Sequence, residues 1–400
     1  MEKKNKYLNN TFINLYSLLQ KNLNMKKMKS IMYFVDRILM IFVKKPKYIQ
    51  NQKKRVLIIF NLALGDGVVF LNAISKIRKE YPKDKYILNL TCQKGLESIY
   101  EEINIFDEVI PINYTKSTIN IIERLKSIKI LNKYYYDLIL DPIGANECFT
   151  NVLMTRNIFA KSKIGAIIET YDIICPKHIL KKTYNDLKII KTKSLIEQYY
   201  EFFYEKYNIT FCKLPMKKNN LQLPKEYYLV FPSASMELKR YPAERYAEII
   251  KKIYQKTKLP LIFCGTNVDK YAYQELLKLI PHIPVIDIVG KTSLLEFIDV
   301  IDKAKFVITN DTSTYHIAVI CETPVAIITG GYTYDRYVTY EFKDCNKYKR
   351  PYVIVDKMDC FNCINNCNKI TKNDKLWPCL DKIKVDYAWN IIEKMIEKEK

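Results

Sequence analysis

Residues 55–82 read RVLIIFNLALGDGVVFLNAISKIRKEYP, and this stretch decides the fold class. Its first six residues form a short apolar run rich in branched side chains, as expected of a strand buried on both faces. A glycine-containing loop follows. Phe70, Ala73, Ile74, Ile77 and Tyr81 then recur at the spacing that gathers them on one side of a helix. Strand, loop and amphipathic helix in that order open an α/β unit with a parallel sheet.

The same rhythm continues outward. Residues 86–91, 107–112 and 137–141 (DLILD) read as further strands. Residues 210–226 interrupt the pattern with Pro215, a Lys-Lys-Asn-Asn stretch and Pro224, the composition of a linker. A second series then begins with a strand at 227–231. Pro242 opens a helix carrying Tyr246, Ile249, Ile250, Ile253 and Tyr254 on one face. Strands are predicted at 259–264, 285–289, 306–309 and 325–329. The expected organisation is a basic arm at 1–54, a first Rossmann-like domain at 55–215, a second at 222–385, and a C-terminal helix at 386–400. No repeat beyond this shared architecture is visible.

Lys and Arg number 65 against 43 Asp and Glu, a net charge of +22 that points to an anionic partner. More than half of the excess sits in residues 1–55, where fourteen basic residues face only Glu2 and Asp36. This arm lacks the apolar run and small-residue cleavage site of a signal peptide. Residues 31–43 (IMYFVDRILMIFV) are apolar but include Asp36 and Arg37, and a spanning helix needs roughly 20 apolar residues. Lys26, Lys27 and Lys29 precede this segment, and Lys44, Lys45 and Lys47 follow it. That pattern suits an anchor lying on an anionic membrane surface; a helix packed on the protein body is the plainer alternative. Eleven cysteines without a secretory signal suggest free thiols in a reducing compartment. Cys92, Cys148, Cys175, Cys212, Cys264, Cys321 and Cys345 are scattered and read as small core hydrophobes.

Three loops at the carboxyl ends of predicted strands could carry chemistry, because ligands of open α/β sheets bind there. The first holds Gly65, Asp66 and Gly67. Two glycines allow a sharp turn and a close approach, and a carboxylate between them can take a proton from a substrate hydroxyl. The competing reading makes Asp66 an ordinary helix cap. The second loop, PSASMELKRYP, offers the hydroxyls of Ser233 and Ser235, free backbone N–H groups and the Lys239 ammonium, a set suited to phosphate; a solvated loop with surface cations is the alternative. The third, NDTSTYH, leads a strand into a helix capped by Asp311 or Thr312. Its exposed N–H groups suit a pyrophosphate, and His316 lies one helical turn after Thr312.

Together these loops resemble glycosyltransferase family 9, the lipopolysaccharide heptosyltransferases and their relatives. The stretch at 55–82 is similar to that family's opening. FPSASMELKRYPAERYAEII resembles its donor-phosphate loop, and GKTSLLEFIDVIDKAKFVITNDTSTYHIAV its Asp-Thr-Gly-x-x-His block. The resemblance covers roughly residues 55–385 and implies an α/β GT-B fold, two Rossmann-like domains facing across a cleft. The acceptor would lie on the first domain and the nucleotide-sugar on the second. It further implies Asp66 as general base, with Gly65 and Gly67 in the acceptor loop. Ser235 and Lys239 would hold donor phosphates, with Ser233 also in the donor-binding loop. Asp311, Thr312 and His316 would line the donor site, and Asp269 would touch the nucleotide. Two positions depart from the pattern: Ser313 replaces the glycine after Asp-Thr, and Thr292 replaces a methionine found near the base in some relatives.

The implied activity is inverting, metal-independent transfer of a sugar, with ADP-heptose as the family's donor, to a lipopolysaccharide core or other lipid-linked saccharide. The implied place is the cytoplasmic face of the cell membrane. No cofactor is expected for catalysis, and no Asp-x-Asp pair stands at a strand end. Cys360, Cys363, Cys367 and Cys379 form a CxxCxxxC…C cluster, and some family members carry a similar segment. Four thiolates could bind zinc structurally; free thiols or a redox pair are the alternatives. A catalytically silent, membrane-associated partner of other transferases is a rival reading. A nucleic-acid-binding protein is disfavoured because no helix-turn-helix, zinc-finger or RNP-like pattern appears, and a nicotinamide oxidoreductase because no GxGxxG follows the first strand.

Overall fold

The computed structural model describes residues 25–49, 52–144, 149–170, 175–342, 347–371 and 374–399. The first 24 residues of the basic arm, together with Cys148 and Cys345, lie outside the described residues. Helix α1 (Met25–Leu39) comes first. It is followed by β1 (Lys54–Phe60), α2 (Leu64–Ile74), β2 (Tyr86–Gln93), α3 (Glu97–Glu102), β3 (Glu108–Ile112), α4 (Tyr114–Ile119), α5 (Ile121–Leu131), β4 (Tyr136–Asp141), α6 (Phe149–Arg156), β5 (Ala160–Ile168), α7 (Lys177–Thr183), β6 (Asp186–Ile190) and α8 (Leu195–Phe203). The second series runs β7 (Tyr228–Phe231), α9 (Ala243–Thr257), β8 (Leu261–Phe263), α10 (Lys270–Leu279), β9 (Val285–Asp287), α11 (Leu294–Asp302), β10 (Phe306–Asn310), α12 (Ser313–Ile320), β11 (Val325–Ile328), β12 (Tyr352–Ile354), α13 (Pro378–Asp381) and α14 (Val385–Lys398).

Both sheets are six-stranded and parallel. The first has the order β3-β2-β1-β4-β5-β6, and the second β12-β11-β10-β7-β8-β9. Read from its own first strand, the second sheet repeats the order of the first. Each is the doubly wound arrangement in which the strand order reverses between the first and fourth strands. The central strands are apolar on both faces as expected: Val56 to Phe60 and Tyr228 to Val230 are essentially inaccessible. All nine predicted strands are present. The three not predicted are β5, whose Lys161 and Lys163 break the apolar run, and the sheet-edge strands β6 and β12, where pairing rather than composition defines the strand.

The chain divides into two compact units. One holds residues 1–63, 75–192 and 201–205; the other holds 64–74, 193–200 and 206–400. Helix α2, placed with the first domain by its position in the sequence, therefore groups with the second unit. Within that unit the Asn72 side chain explains its attachment: Oδ1 accepts from the Cys212 N–H at 2.9 Å, and the Tyr200 hydroxyl donates to the Asn72 carbonyl at 3.1 Å. Helix α14 also belongs to the second unit, held by Lys256 on α9 to Glu393 and Glu397 at 2.7 and 2.6 Å.

In the first unit α1 packs on the protein body, the plainer of the two readings of the arm. Met32, Leu39 and Val43 are buried against residues of α5, α6 and α7, among them Ile128, Leu131, Val152, Met154 and Leu180. Asp36, the arm's one acid in this segment, is fully buried and makes a two-pronged ion pair with Arg124 on α5, its Oδ2 2.7 Å from Nη2. No helix among the described residues is long and apolar enough to cross a membrane.

Candidate functional site

The crevice at the head of β7 and β10 is the switch point of the second sheet. Asn310, the last residue of β10, builds it. The Asn310 amide donates to the Pro232 carbonyl at 2.6 Å, and its oxygen accepts from the Tyr246 hydroxyl at 2.9 Å and the Tyr241 N–H at 3.3 Å. One buried side chain thereby clamps the loop after β7 onto the end of β10 and onto α9, with its donor and acceptor both used. Arg240 closes the loop on itself through the Ala234 carbonyl at 3.1 Å. Lys239 is carried inward by this loop. Its ammonium sits 2.8 Å from Asp311 Oδ2 and 4.8 Å from the centre of the Tyr332 ring. Ser233 is buried and Ser235 exposed, so the two hydroxyls do not share an environment.

Thr312 is the N-cap residue of α12, but its hydroxyl lies 3.1 Å from that of Thr309 and makes no capping bond. Asp311 is turned to Lys239. The Thr312 side chain makes no capping bond at the start of α12, so that helix start, with its partial positive charge, lacks a side-chain cap. One turn on, His316 is buried with Nδ1 2.7 Å from the Tyr340 hydroxyl. Burial pushes its imidazole down to about 4, helped by the Lys239 charge and opposed by Asp311, so the ring is neutral at physiological pH.

Asp66 reaches the same neighbourhood from α2. The helix begins at Leu64, so Gly65, Asp66 and Gly67 form its first turn, and neither glycine has positive φ. The expected sharp glycine turn is therefore corrected to a helix start. What Gly65 provides is contact: a Cβ there would stand 3.1 Å from His316 Cδ2 and 3.4 Å from Ser313 Cα. The absence of a side chain lets α2 lie directly against the head of α12. The Asp66 carboxyl is half-buried, and burial pushes it up to about 6. Arg336 pulls the other way, as does Asp66's own backbone hydrogen bond; Asp311 adds to the rise, and Lys239 opposes it. A carboxylate, two cations and a second carboxylate thus share one electrostatic neighbourhood.

Arg336 belongs to none of the three loops. It lies on a π-helical turn, Tyr334–Val338, and is buried, with its own charge opposed by burial and favoured by Tyr337 and Asp66. Such turns recur at functional sites. The available signal was an arginine among tyrosines, TYDRYVTY, just beyond Gly330 and Gly331 at the end of β11. Asn310 and Tyr340 carry no local signal either, because their partners Pro232 and His316 lie 78 and 24 residues away.

The profile of Glycosyltransferase family 9 (heptosyltransferase) matches residues 124–337, more than half of the chain. The chain belongs to glycosyltransferase family 9. The match includes Lys239, Asp269, Asp311, Thr312, His316 and Arg336, while Asp66 precedes it. Among solved structures, the ADP-heptose lipopolysaccharide heptosyltransferase II of E. coli aligns with a TM-score of 0.62 at 16% identity, over 86% of this chain and 99% of that one. A family 9 glycosyltransferase from Veillonella parvula aligns at 0.64 and 14%, over 88% and 100%. The E. coli heptosyltransferase WaaC, solved with ADP, aligns at 0.56 and 19%, over 86% and 99%. At these identities the likeness is one of fold, the GT-B fold. No curated protein sequence matches the chain.

Asp269 and the clustered cysteines of this family 9 transferase have local surroundings of their own. Asp269 stands at the start of α10, beyond the end of β8, where one carboxylate oxygen accepts from the Thr266 N–H at 2.8 Å and its hydroxyl at 2.7 Å. That reciprocal cap occupies Oδ2. The four clustered cysteines of the transferase are free thiols, Cys379 buried at the start of α13 and Cys360, Cys363 and Cys367 half-buried on a run of turns. Among the described residues, no three or more His, Cys, Asp or Glu side chains converge closely enough to hold a metal ion. The Gly331 N–H bonds to the Cys379 sulfur, and burial raises the Cys379 and Cys363 thiols above their ordinary range.

Proposed function

We propose that this glycosyltransferase uses Asp66 as the general base of an inverting transfer from a nucleotide-sugar. The observation that carries the reading is the meeting of Asp66 with Lys239, Arg336 and the uncapped start of α12. A carboxyl raised to about 6 is ionised at neutral pH yet basic enough to accept a hydroxyl proton. The acceptor oxygen, as its proton passes to Asp66, forms a bond to the anomeric carbon from the face opposite the diphosphate. The bond from that carbon to the diphosphate oxygen breaks, and its electron pair leaves with the nucleoside diphosphate.

Negative charge on the leaving group is then met by the Lys239 ammonium and the α12 amides, with Thr312, Ser233 and Ser235 as nearby hydroxyls. Arg336 adds positive potential near Asp66. His316, neutral and tied to Tyr340, is a shape and hydrogen-bonding element of the donor site rather than a proton carrier. Fixed cations and amides supply the electrostatic role that a divalent ion fills elsewhere, which supports a metal-independent reaction. Asp269 retains one carboxylate oxygen for a ribose or base contact. Gly65 and Gly67 place Asp66 at the acceptor side of the reaction.

WaaC is solved with ADP and, separately, with ADP-2-deoxy-2-fluoro heptose. ADP-heptose is accordingly the first donor to test. The acceptor class we favour is a lipid-linked saccharide such as a lipopolysaccharide core, met at the cytoplasmic face of the membrane where nucleotide-sugars are made. Zinc at Cys360, Cys363, Cys367 and Cys379 stands as a structural proposal. It is supported by ligand type and by Ile364, a β-branched residue held at φ 53° between these thiols; elemental analysis of purified protein tests it.

The deciding experiment is a thermal-shift panel of nucleotide-sugars on the intact protein, followed by mass spectrometry of the acceptor. Binding of a nucleotide-sugar, transfer that persists in EDTA, and inversion at the anomeric carbon support the reading. Transfer with retained configuration would remove the single-displacement mechanism.

A further inference from the structure

Helix α1 is fixed to the first unit by one face and leaves a second apolar face outside. Met32, Asp36, Leu39 and Val43 point inward, spaced at four, three and four residues. Phe34, Ile38 and Ile41, spaced at four and three, point outward and are joined by Phe42 on the short 3-10 turn that ends the helix. Their exposures are 63%, 44%, 79% and 62%, and Tyr48 and Ile49 continue the exposed surface at 52% and 69%. Scattered exposed hydrophobes are ordinary, but four large ones in nine residues form a patch.

The rim of this patch is basic. Arg37, Lys44, Lys45 and Lys47 are exposed, while the segment's one acid, Asp36, is sequestered inside by Arg124. The outward face therefore carries positive charge without a compensating carboxylate from its own segment. An apolar centre ringed by cations matches a lipid surface with anionic headgroups, whose acyl boundary takes the aromatic and branched side chains while its phosphates meet the amines. At 15 residues α1 is too short to span a bilayer, so it would lie in the interface plane.

We infer that the outer face of α1 and the following turn, centred on Phe34, Ile38, Ile41 and Phe42, is a docking surface for an anionic membrane. The buried Asp36–Arg124 pair gives this surface a fixed orientation on the first unit, so the whole unit docks with α1 rather than hanging from a tether. The inference deepens the membrane location proposed above but rests on the arm alone, and it holds whatever the transfer chemistry proves to be.

The test uses the full-length protein in flotation assays with two vesicle types, pure phosphatidylcholine and phosphatidylcholine mixed with phosphatidylglycerol. Wild type should float with the mixed vesicles and lose that association at high salt. The triple variant Phe34→Ser, Ile41→Ser, Phe42→Ser should lower the bound fraction by at least about tenfold, since each lost side chain removes most of a large residue's burial. A second variant, Lys44→Gln with Lys47→Gln, should weaken binding to mixed vesicles while preserving the apolar face. Both sets are exposed, so an unchanged melting temperature separates lost docking from lost folding. Transfer to a soluble acceptor fragment should be unaffected, which keeps this outcome distinct from failure of the catalytic reading. Vesicle binding unchanged in the triple variant would overturn the inference. So would the absence of wild-type binding together with a dimer that this variant dissolves, since the face would then belong to a second copy.

Discussion

Lys239 Nζ stands 2.8 Å from Asp311 Oδ2, and this single ion pair joins the loop after β7 to the loop after β10. The two side chains are only 15% and 6% exposed. A pair so placed holds its cation at the switch point of the sheet and keeps it from pairing with bulk anions. An arriving diphosphate offers Lys239 a more highly charged partner in the same crevice.

Lys239→Ala should therefore weaken nucleotide-sugar binding by about 10- to 100-fold, the range for one charge-assisted hydrogen bond in a shielded site. Titration calorimetry reads this directly. Equal donor affinity in the variant and the wild type would remove Lys239 from the donor site.

Asp66→Ala should lower turnover by about 10²- to 10⁴-fold, the usual contribution of a general base. Donor affinity should stay close to wild type, because the carboxylate works on the acceptor hydroxyl. Steady-state kinetics paired with calorimetry separates the two effects; near-normal turnover would mean that another group takes the proton.

The pH dependence follows from the same residue. Its carboxyl is raised to about 6, so kcat/KM should climb as pH rises through about 6 and then level off. His316, down at about 4, titrates below that window. Stability should run the opposite way. The folded protein holds the Asp66 proton more tightly than the unfolded chain, whose carboxylates titrate near 3.9, so stability falls as pH rises from about 4 to about 6. Asp66→Asn should then stabilise the fold at pH 7 by about 1–2 kcal/mol, allowing for partial solvent access. That gain should vanish near pH 4, which thermal melts at the two pH values would check.

Gly65→Ala inserts a methyl 3.1 Å from His316 Cδ2, and the imidazole it meets is buried and held by Tyr340. The fold should survive, because only a few tenths of an ångström must be found. Asp66 should shift with the helix start, and kcat should fall by about tenfold or more with KM for the donor little changed. A variant with wild-type kcat would show that the contact between α2 and α12 does not position the base.

Asp36→Ala removes the carboxylate paired with the buried Arg124 guanidinium, a change that costs about 3–5 kcal/mol when one partner of such a pair is lost. Chemical denaturation should show that loss, and limited proteolysis should cut more readily around residues 25–49. Replacing both partners with apolar residues should restore most of the stability.

Much of this was legible in the sequence because it is local. Apolar runs of branched residues announced the central strands of both sheets. Pro242 marked the start of α9. The three loops at strand ends were found from Gly-Asp-Gly, from serines preceding a lysine, and from Asn-Asp-Thr at the head of a helix. The four-cysteine cluster shows where such reading stops: spacing names ligand types but not whether four thiols close on one ion. Asp269 meets the same limit, since spacing does not reveal that one of its oxygens bonds Thr266.

The pattern of side chains along the chain determined two doubly wound parallel sheets, the order of their helices and the loops where ligands of such sheets bind. Periodicity and turn chemistry act over a few residues and can be read without coordinates. Only the tertiary structure decided that α2 groups with the second unit, that Asn310 clamps two loops, that Arg336 and Asp66 share one electrostatic neighbourhood, and that α1 shows solvent a second apolar face. Those facts arise from contacts between residues 64 to 270 positions apart, and from burial, which sets charge and basicity. Neither quantity is a property of a residue's neighbours in sequence.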